Sequence, residues 1–242
     1  MKISVCIATF NGSKYIKEQL ASILNQLTVY DEVIISDDQS TDNTLAIIKS
    51  FNDPRIKIFE DKKFGSPIFN FENAIKKATG EYIFLSDQDD VWLPNKVKVM
   101  VEALHKHDLV ISNALIADES LNIVKDSYFE WRKSRTGIYK NLLVNSYLGC
   151  CMAFKRKLLK NIIPFPKNIP MHDMWIGMIA ELYYKPVFIN EKLMIYRRHT
   201  NNATVLTENY TSKESLKTKF KFRYNLIVSV FKRSCSVLVG RP

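Results

Sequence analysis

Three carboxylates, Asp87, Asp89 and Asp90, close an apolar run that reads Tyr82-Ile83-Phe84-Leu85, and Trp92 stands two residues beyond them. The run has the composition of a buried strand. A parallel strand presents its functional side chains at its carboxyl end, where an open α/β sheet forms its ligand crevice. Side chains at positions n and n+2 of an extended segment point the same way, so Asp87 and Asp89 converge on one site. Like charges held close are unfavourable unless something positive lies between them. A divalent cation with oxygen ligands, shared with a substrate phosphate, fits that requirement. A bare Asp-x-Asp is more often a solvated acidic turn, and the rest of the chain must argue for the chemical reading.

The elements that would carry these residues alternate through the first half. Ile3 to Thr9 and Glu32 to Ser36 read as strands, and Arg55 to Phe59 as a short third. Between the first two, Tyr15, Ile16, Leu20, Ile23, Leu24 and Leu27 recur at helical spacing after the turn at Asn11-Gly12. A second helix spans Thr41 to Phe51. Ser66-Pro67 has the cap-then-proline form of a helix start, with Gly80 past its end. Tyr82 to Leu85 is the fourth strand, and Asn95 to His107 another helix. This alternation predicts an α/β fold with a mainly parallel sheet and helices on both faces. Later, Leu109 to Ala117 and Cys150 to Phe154 read as strands, and Lys157 to Asn161 and Met171 to Tyr183 as helices. Val187 to Tyr196 reads as paired strands around a turn at Asn190-Glu191.

Bulk properties narrow the class. The 242 residues, 46% hydrophobic and 25% charged, suit one substantial globular domain and not a disordered chain. The four cysteines, Cys6, Cys150, Cys151 and Cys235, form no C-x-x-C pair, and reduced thiols of a cytoplasmic protein are the expectation. The apolar run at the N-terminus is a first strand rather than a signal peptide. The most hydrophobic late segment, Leu226 to Val239, is broken by Lys232-Arg233 and does not span a bilayer.

Three more polar clusters fall at the ends of these elements: Thr9-Phe10-Asn11, the segment from Asp37 through Ser40 and Thr41 to Thr44, and His172-Asp173-Met174-Trp175. Each alone has a structural explanation as a turn, a helix cap or a first-turn acid. Together, with Asn73-Ala74 through Gly80-Glu81-Tyr82 and with Asp87 to Asp89, they occur in an order that resembles the inverting family-two glycosyltransferases. The resemblance runs from Ile3 to about Asn202. Within that family, Ser86 to Val97 and Tyr196-Arg197-Arg198-His199-Thr200-Asn201-Asn202 look like the bacterial rhamnosyl- and related transferases of surface polysaccharide synthesis. The Gln-x-x-Arg-Trp motif of processive members is absent.

The resemblance implies the GT-A fold, Rossmann-like, over residues 1–206, followed by a basic C-terminal helical tail at 207–242. It implies transfer of one sugar from a nucleotide donor, UDP-hexose or dTDP-rhamnose, to a glycan acceptor carried on a lipid, with inversion. It assigns Asp173 as general base and Thr9, Asn11, Asp38, Ser40 and Asp87 to the donor nucleotide. Asp89 and His199 would hold Mn²⁺ or Mg²⁺. Trp92 and Trp175, with Asp90, are candidates to hold the acceptor sugar; core packing is the alternative for both tryptophans. Two other functions compete. A sugar nucleotidyltransferase would show a glycine-rich basic loop after the first strand, which residues Ala8 to Lys14 do not provide. A non-catalytic nucleotide- or nucleic-acid-binding protein would use the basic charge, but no recognised nucleic-acid module appears.

That charge is uneven. Of a net +10, the segment from Thr207 to Pro242 carries eight Lys or Arg against two Glu. Here Leu216, Phe220, Tyr224, Ile227, Val228 and Phe231 recur at three- and four-residue spacing. Such a helix can lie in an anionic membrane interface, which would make the protein peripheral on the inner face of the cell membrane. Alternatively, it packs that apolar face on the domain.

Overall fold

The computed structural model describes residues 1–199 and 215–238. Thr200 to Asn202, and the expected domain boundary between residues 206 and 207, lie outside them. The strands are β1 (Ile3–Thr9), β2 (Glu32–Asp37), β3 (Ile56–Phe59), β4 (Tyr82–Ser86), β5 (Val91–Trp92), β6 (Leu109–Ala117), β7 (Ile123–Lys125), β8 (Met152–Lys155) and β9 (Pro186–Arg197). The helices are α1 (Ile16–Leu24), α2 (Thr44–Ser50), α3 (Pro67–Lys77), α4 (Lys96–Lys106), α5 (Tyr128–Arg132), α6 (Ile138–Leu143), α7 (Leu159–Ile162), α8 (His172–Tyr183) and α9 (Leu216–Leu238).

Among the described residues the strands form one sheet in the order β3-β2-β1-β4-β8-β6-β9-β5, with β7 paired to β6. The first four strands are parallel. Beyond β4 the sheet is mixed: β8 runs antiparallel to both β4 and β6, while β9 is parallel to β6. β1, β2 and β4 show no polar-apolar alternation because both of their faces are covered, and all but one of their residues are buried. Their register pairs Thr9 with Asp37 and Ile7 with Ser86. The three loops that follow them therefore open at one edge.

The second half departs from expectation at one element. Val187 to Tyr196 is not a strand pair but part of the single strand β9. Ser112 pairs with Ile189 and Asn113 with Lys192, so Asn190 and Glu191 are passed over in a bulge and β9 continues along β6. The turn residues are absorbed because both halves of β9 find hydrogen-bonding partners on the same neighbour. This continuation carries β9 to the edge where the three loops open, and it delivers Arg197 and His199 there.

Candidate active site

The loops after β1 and β2 are tied together by side chains rather than left open for a ligand. Asp37, fully buried at the end of β2, accepts hydrogen bonds from Thr9 Oγ1 at 2.7 Å, from Ser40 Oγ at 2.7 Å and from the Ser40 backbone N–H at 2.7 Å. The Asn11 N–H donates to Ser40 Oγ at 2.9 Å, and Asn11 Oδ1 accepts from the Thr41 N–H at 2.8 Å. Asn11 adopts the left-handed conformation, φ 48°, that lets it reach across. Asn11 and Ser40 thus brace two loops and do not line the cavity, which corrects their expected contact with a donor nucleotide. Their side chains are engaged by backbone that has no other partner there. Thr9 and Asp38 do line it. One oxygen of Asp38 accepts from the N–H groups of Phe64 and Gly65, which fixes the loop that forms the rim.

The cavity itself measures about 440 Å³. Asp38, Asp87 and Asp89 face it from the strand ends, and His172 and Asp173 from the start of α8. Asp173 is buried, and burial pushes its carboxyl up to about 7 against the opposing pull of the Met174 and Gly149 N–H groups. Asp87 is likewise pushed up to about 7, by burial and then by the neighbouring Asp89 carboxylate. Asp89 meets His199 at 2.8 Å, carboxylate oxygen to Nε2. The His199 ring stacks on Tyr15 at 4.7 Å between centroids, and the Tyr15 hydroxyl donates to Glu119 at 2.6 Å. A carboxylate and an imidazole in contact at the mouth of a cavity lined by further carboxylates form a donor set that fits a divalent ion, manganese in particular.

Three expected acceptor residues are not on this cavity. Asp90 is fully buried behind it and accepts from the Arg197 N–H at 3.0 Å. Asp90 follows the turn at Gln88-Asp89 and leads into β5, and its carboxylate is held inward by that Arg197 N–H. Trp92 is buried against Phe84, with the ammonium of fully buried Lys96 at 5.1 Å from its ring. Trp175 is fully buried, and its indole N–H donates to the Ile162 carbonyl at 2.8 Å. Both tryptophans are core residues, and neither can stack on a sugar without unpacking the domain. Trp175→Ala should therefore cost roughly 3–5 kcal/mol of stability, read from urea unfolding curves. A Trp175→Ala protein of unchanged stability and impaired acceptor use would reverse this placement.

Several residues that motif reading passed over prove to build the site. Gln88, the spacer within Asp-x-Asp, accepts from the Phe10 N–H and donates to the Phe10 carbonyl, each at 3.0 Å, and so locks the β1 loop to the β4 loop. Asn70 on α3 donates to the Thr9 carbonyl at 3.1 Å. His172 stacks on Phe71 at 4.2 Å, and neither of its ring nitrogens has a hydrogen-bond partner among the described residues. Burial pushes it down to about 3, so it lines the cavity as a neutral imidazole. Arg197 donates to the Asp89 carbonyl at 2.8 Å and lies over the Tyr15 ring. Gln88, His172 and Arg197 stood in segments whose pattern was signalled, without a role of their own, and Asn70 did not.

Paired carboxylates, a buried acid of raised pKa and an open crevice at the strand ends are the parts of a group-transfer site on a nucleotide-bound substrate. Residues 4–163 match the family model described as glycosyl transferase family 2. The chain belongs to that family. It is a glycosyltransferase of the inverting class with the GT-A fold, and this displaces both the nucleotidyltransferase and the binding-protein readings. The chain is similar to the dTDP-rhamnosyl transferase RfbG of Shigella flexneri, 33% identical over 86% of this chain and 76% of that protein. It is also similar to the Escherichia coli UDP-Glc:alpha-D-GlcNAc-diphosphoundecaprenol beta-1,3-glucosyltransferase WfgD, 26% identical over 74% of this chain and 70% of that protein. The fold is shared with Staphylococcus aureus TarS, solved in complex with UDP-GlcNAc, at a TM-score of 0.69 and 22% identity over 96% of this chain and 73% of that chain. No helix among the described residues of this glycosyltransferase is long and apolar enough to cross a membrane.

Proposed function

We propose that this enzyme moves a single sugar from dTDP-rhamnose or a UDP-hexose to a lipid-linked saccharide in surface polysaccharide synthesis, in a reaction dependent on a divalent cation. The observation that carries the proposal is that Asp173 faces the same cavity as the Asp89–His199 pair. A base and a metal-binding pair at one pocket match what a single displacement at an anomeric carbon needs. The similarity to RfbG favours the dTDP-rhamnose donor, and the similarity to WfgD favours a diphosphate-linked lipid acceptor.

In this reading Thr9, Asp38 and Asp87 hold the donor nucleotide, and Asp89 and His199 hold Mn²⁺ or Mg²⁺. The ion, when bound, neutralises charge on the departing diphosphate. Asp173 takes the proton of the acceptor hydroxyl as that oxygen bonds to the anomeric carbon, while the bond from that carbon to the diphosphate breaks. Entry opposite the leaving group inverts the centre. A carboxyl with a pKa of about 7 is well matched to this task near neutral pH. His172, neutral and unpartnered, can bond a hydroxyl of either sugar.

Calorimetric titration of UDP, dTDP, GDP and CMP, each with and without Mn²⁺, tests the reading. Manganese-dependent binding of dTDP or UDP is expected, and indifference to every nucleotide would sink it. Tyr15 offers a finer check because it touches His199 and not the cavity. Outer-sphere partners of metal ligands typically contribute about 10–100-fold in metal affinity. Tyr15→Ala should weaken Mn²⁺ binding in the presence of nucleotide on that scale, measured by the free-manganese paramagnetic resonance signal. Tyr15→Phe, which keeps the stack, should lose much less.

A further inference from the structure

The C-terminal helix has two apolar faces, and among the described residues only one is packed. Its docked face consists of Arg223, Leu226, Val230 and Arg233. Leu226 is fully buried and Val230 packs against the core. Arg223 donates to the carbonyls of Leu142 and Leu143 at 2.8 and 2.6 Å. Arg233 donates to those of Asn161, Ile163 and Pro164 at 2.6–2.9 Å. A second stripe, Phe220, Tyr224, Ile227 and Phe231, recurs at spacings of four, three and four, and all of it is exposed, Phe220 by 72% and Phe231 by 69%. The helix therefore docks through a stripe the sequence pattern did not select, and four residues of the stripe it did select, Phe220, Tyr224, Ile227 and Phe231, face outward.

This outward stripe continues onto the domain. The Arg223 contacts hold α9 against the end of α6, where Tyr139, Leu143 and Val144 are also exposed, Tyr139 by 85%. Basic residues border the patch: Lys217, Lys221 and Lys232 are exposed. From Leu216 to Leu238 the helix holds six Lys or Arg and no Asp or Glu. A second copy of the chain would bring an equally basic helix against this one, and like charges would oppose the contact. A partner that is both apolar and anionic suits it, and a bilayer surface containing acidic phospholipid has that combination.

We propose that α9 and the α6 corner together form a docking surface that seats the enzyme on an anionic membrane, with Phe220, Tyr224, Ile227, Phe231, Tyr139 and Leu143 entering the interface. The inference extends the reading of a membrane-borne acceptor, but vesicles without any saccharide lipid test it separately. The full chain would be sedimented with phosphatidylglycerol–phosphatidylcholine vesicles and with phosphatidylcholine alone, beside the double variant Phe220→Ser, Phe231→Ser and the charge variant Lys217→Glu, Lys221→Glu. Binding to the anionic vesicles is expected, with at least about a tenfold loss of partitioning in each variant and unchanged circular dichroism and nucleotide binding. Raised salt should weaken the wild type further. Absence of wild-type binding to anionic vesicles, or variants that sediment as the wild type does, would overturn the proposal. So would a concentration-dependent dimer in sedimentation velocity that the Phe220→Ser, Phe231→Ser variant abolishes, because the stripe would then belong to a second copy. Loss of nucleotide binding with vesicle binding intact would instead count against the catalytic reading alone.

Discussion

Replacing Asp173 with asparagine should lower turnover by about 10²- to 10⁴-fold, the usual contribution of a positioned general base, while nucleotide binding is retained. The substitution keeps the size of the side chain and one oxygen to accept from the Met174 N–H. It removes the one group on the α8 wall of the cavity that can take a proton, since burial holds neighbouring His172 at about 3. The pH profile separates this from a positional defect. With its carboxyl near 7, wild-type Asp173 is ionised only as pH rises through neutrality, so activity should climb over that range. The residual activity of Asp173→Asn should lack that limb. Stability should respond in the opposite sense. A carboxyl whose pKa is raised by folding binds its proton more tightly in the native state, so it costs stability as pH rises from about 4 to about 7. Asp173→Asn, free of this cost, should melt a few degrees above the wild type at alkaline pH and match it in acid. Melting curves at both ends of that range check it, and equal shifts at each would remove burial of the carboxylate as the cause.

How much of this was legible in the chain depends on how local each feature is. β1, β2 and β4 could be read directly because helices cover both their faces, which turns them into uninterrupted apolar runs ended by polar residues. The residues at their carboxyl ends inherited a place on the crevice from topology alone, and Thr9, Asp38, Asp87 and Asp89 hold it. What failed needed a third dimension. Asn11 and Ser40 have the residue types of ligand contacts, but their polar atoms satisfy each other's loops. Asp90 and Trp92 sit close to Asp89 in the chain, but they follow the turn at Gln88-Asp89 and face the interior. Trp175 shares a helix turn with Asp173 but faces the Ile162 carbonyl. The β9 bulge was invisible because Asn190-Glu191 is sound turn chemistry, and only the shared partner β6 overrides it. The docked face of the tail was hidden for a related reason: arginines that grip backbone carbonyls help carry it, and an apolar pattern search does not count them.

Asp89→Ala should abolish metal-dependent nucleotide binding, and the size of the loss follows from its surroundings. Even an outer-sphere partner of a metal ligand typically contributes about 10–100-fold in metal affinity, so loss of a direct ligand should cost more than about 100-fold. Asp89 lines the cavity and contacts His199, so it is placed to be such a ligand. In the wild type, chelation of the metal should reproduce the variant's weak binding, and the variant itself should be indifferent to chelator. His199→Gln gives a graded result because it removes the softer of the two donors. Its nucleotide binding should survive in Mg²⁺ better than in Mn²⁺, since imidazole favours the later metal and oxygen donors suit the earlier one. The alternative holder, the group of Asp87, Asp90 and the Cys150 thiol whose ligand atoms lie within 4.8 Å of one another, predicts no such difference. A metal held there would tolerate loss of His199 in either ion and would be displaced by Cys150→Ser. The two substitutions, each titrated with both metals, therefore assign the ion to the mouth of the cavity or to the buried group behind it. If it is the mouth, the ion lies beside Tyr15 and Arg197, and the residues that hold His199 in place decide how tightly the donor binds.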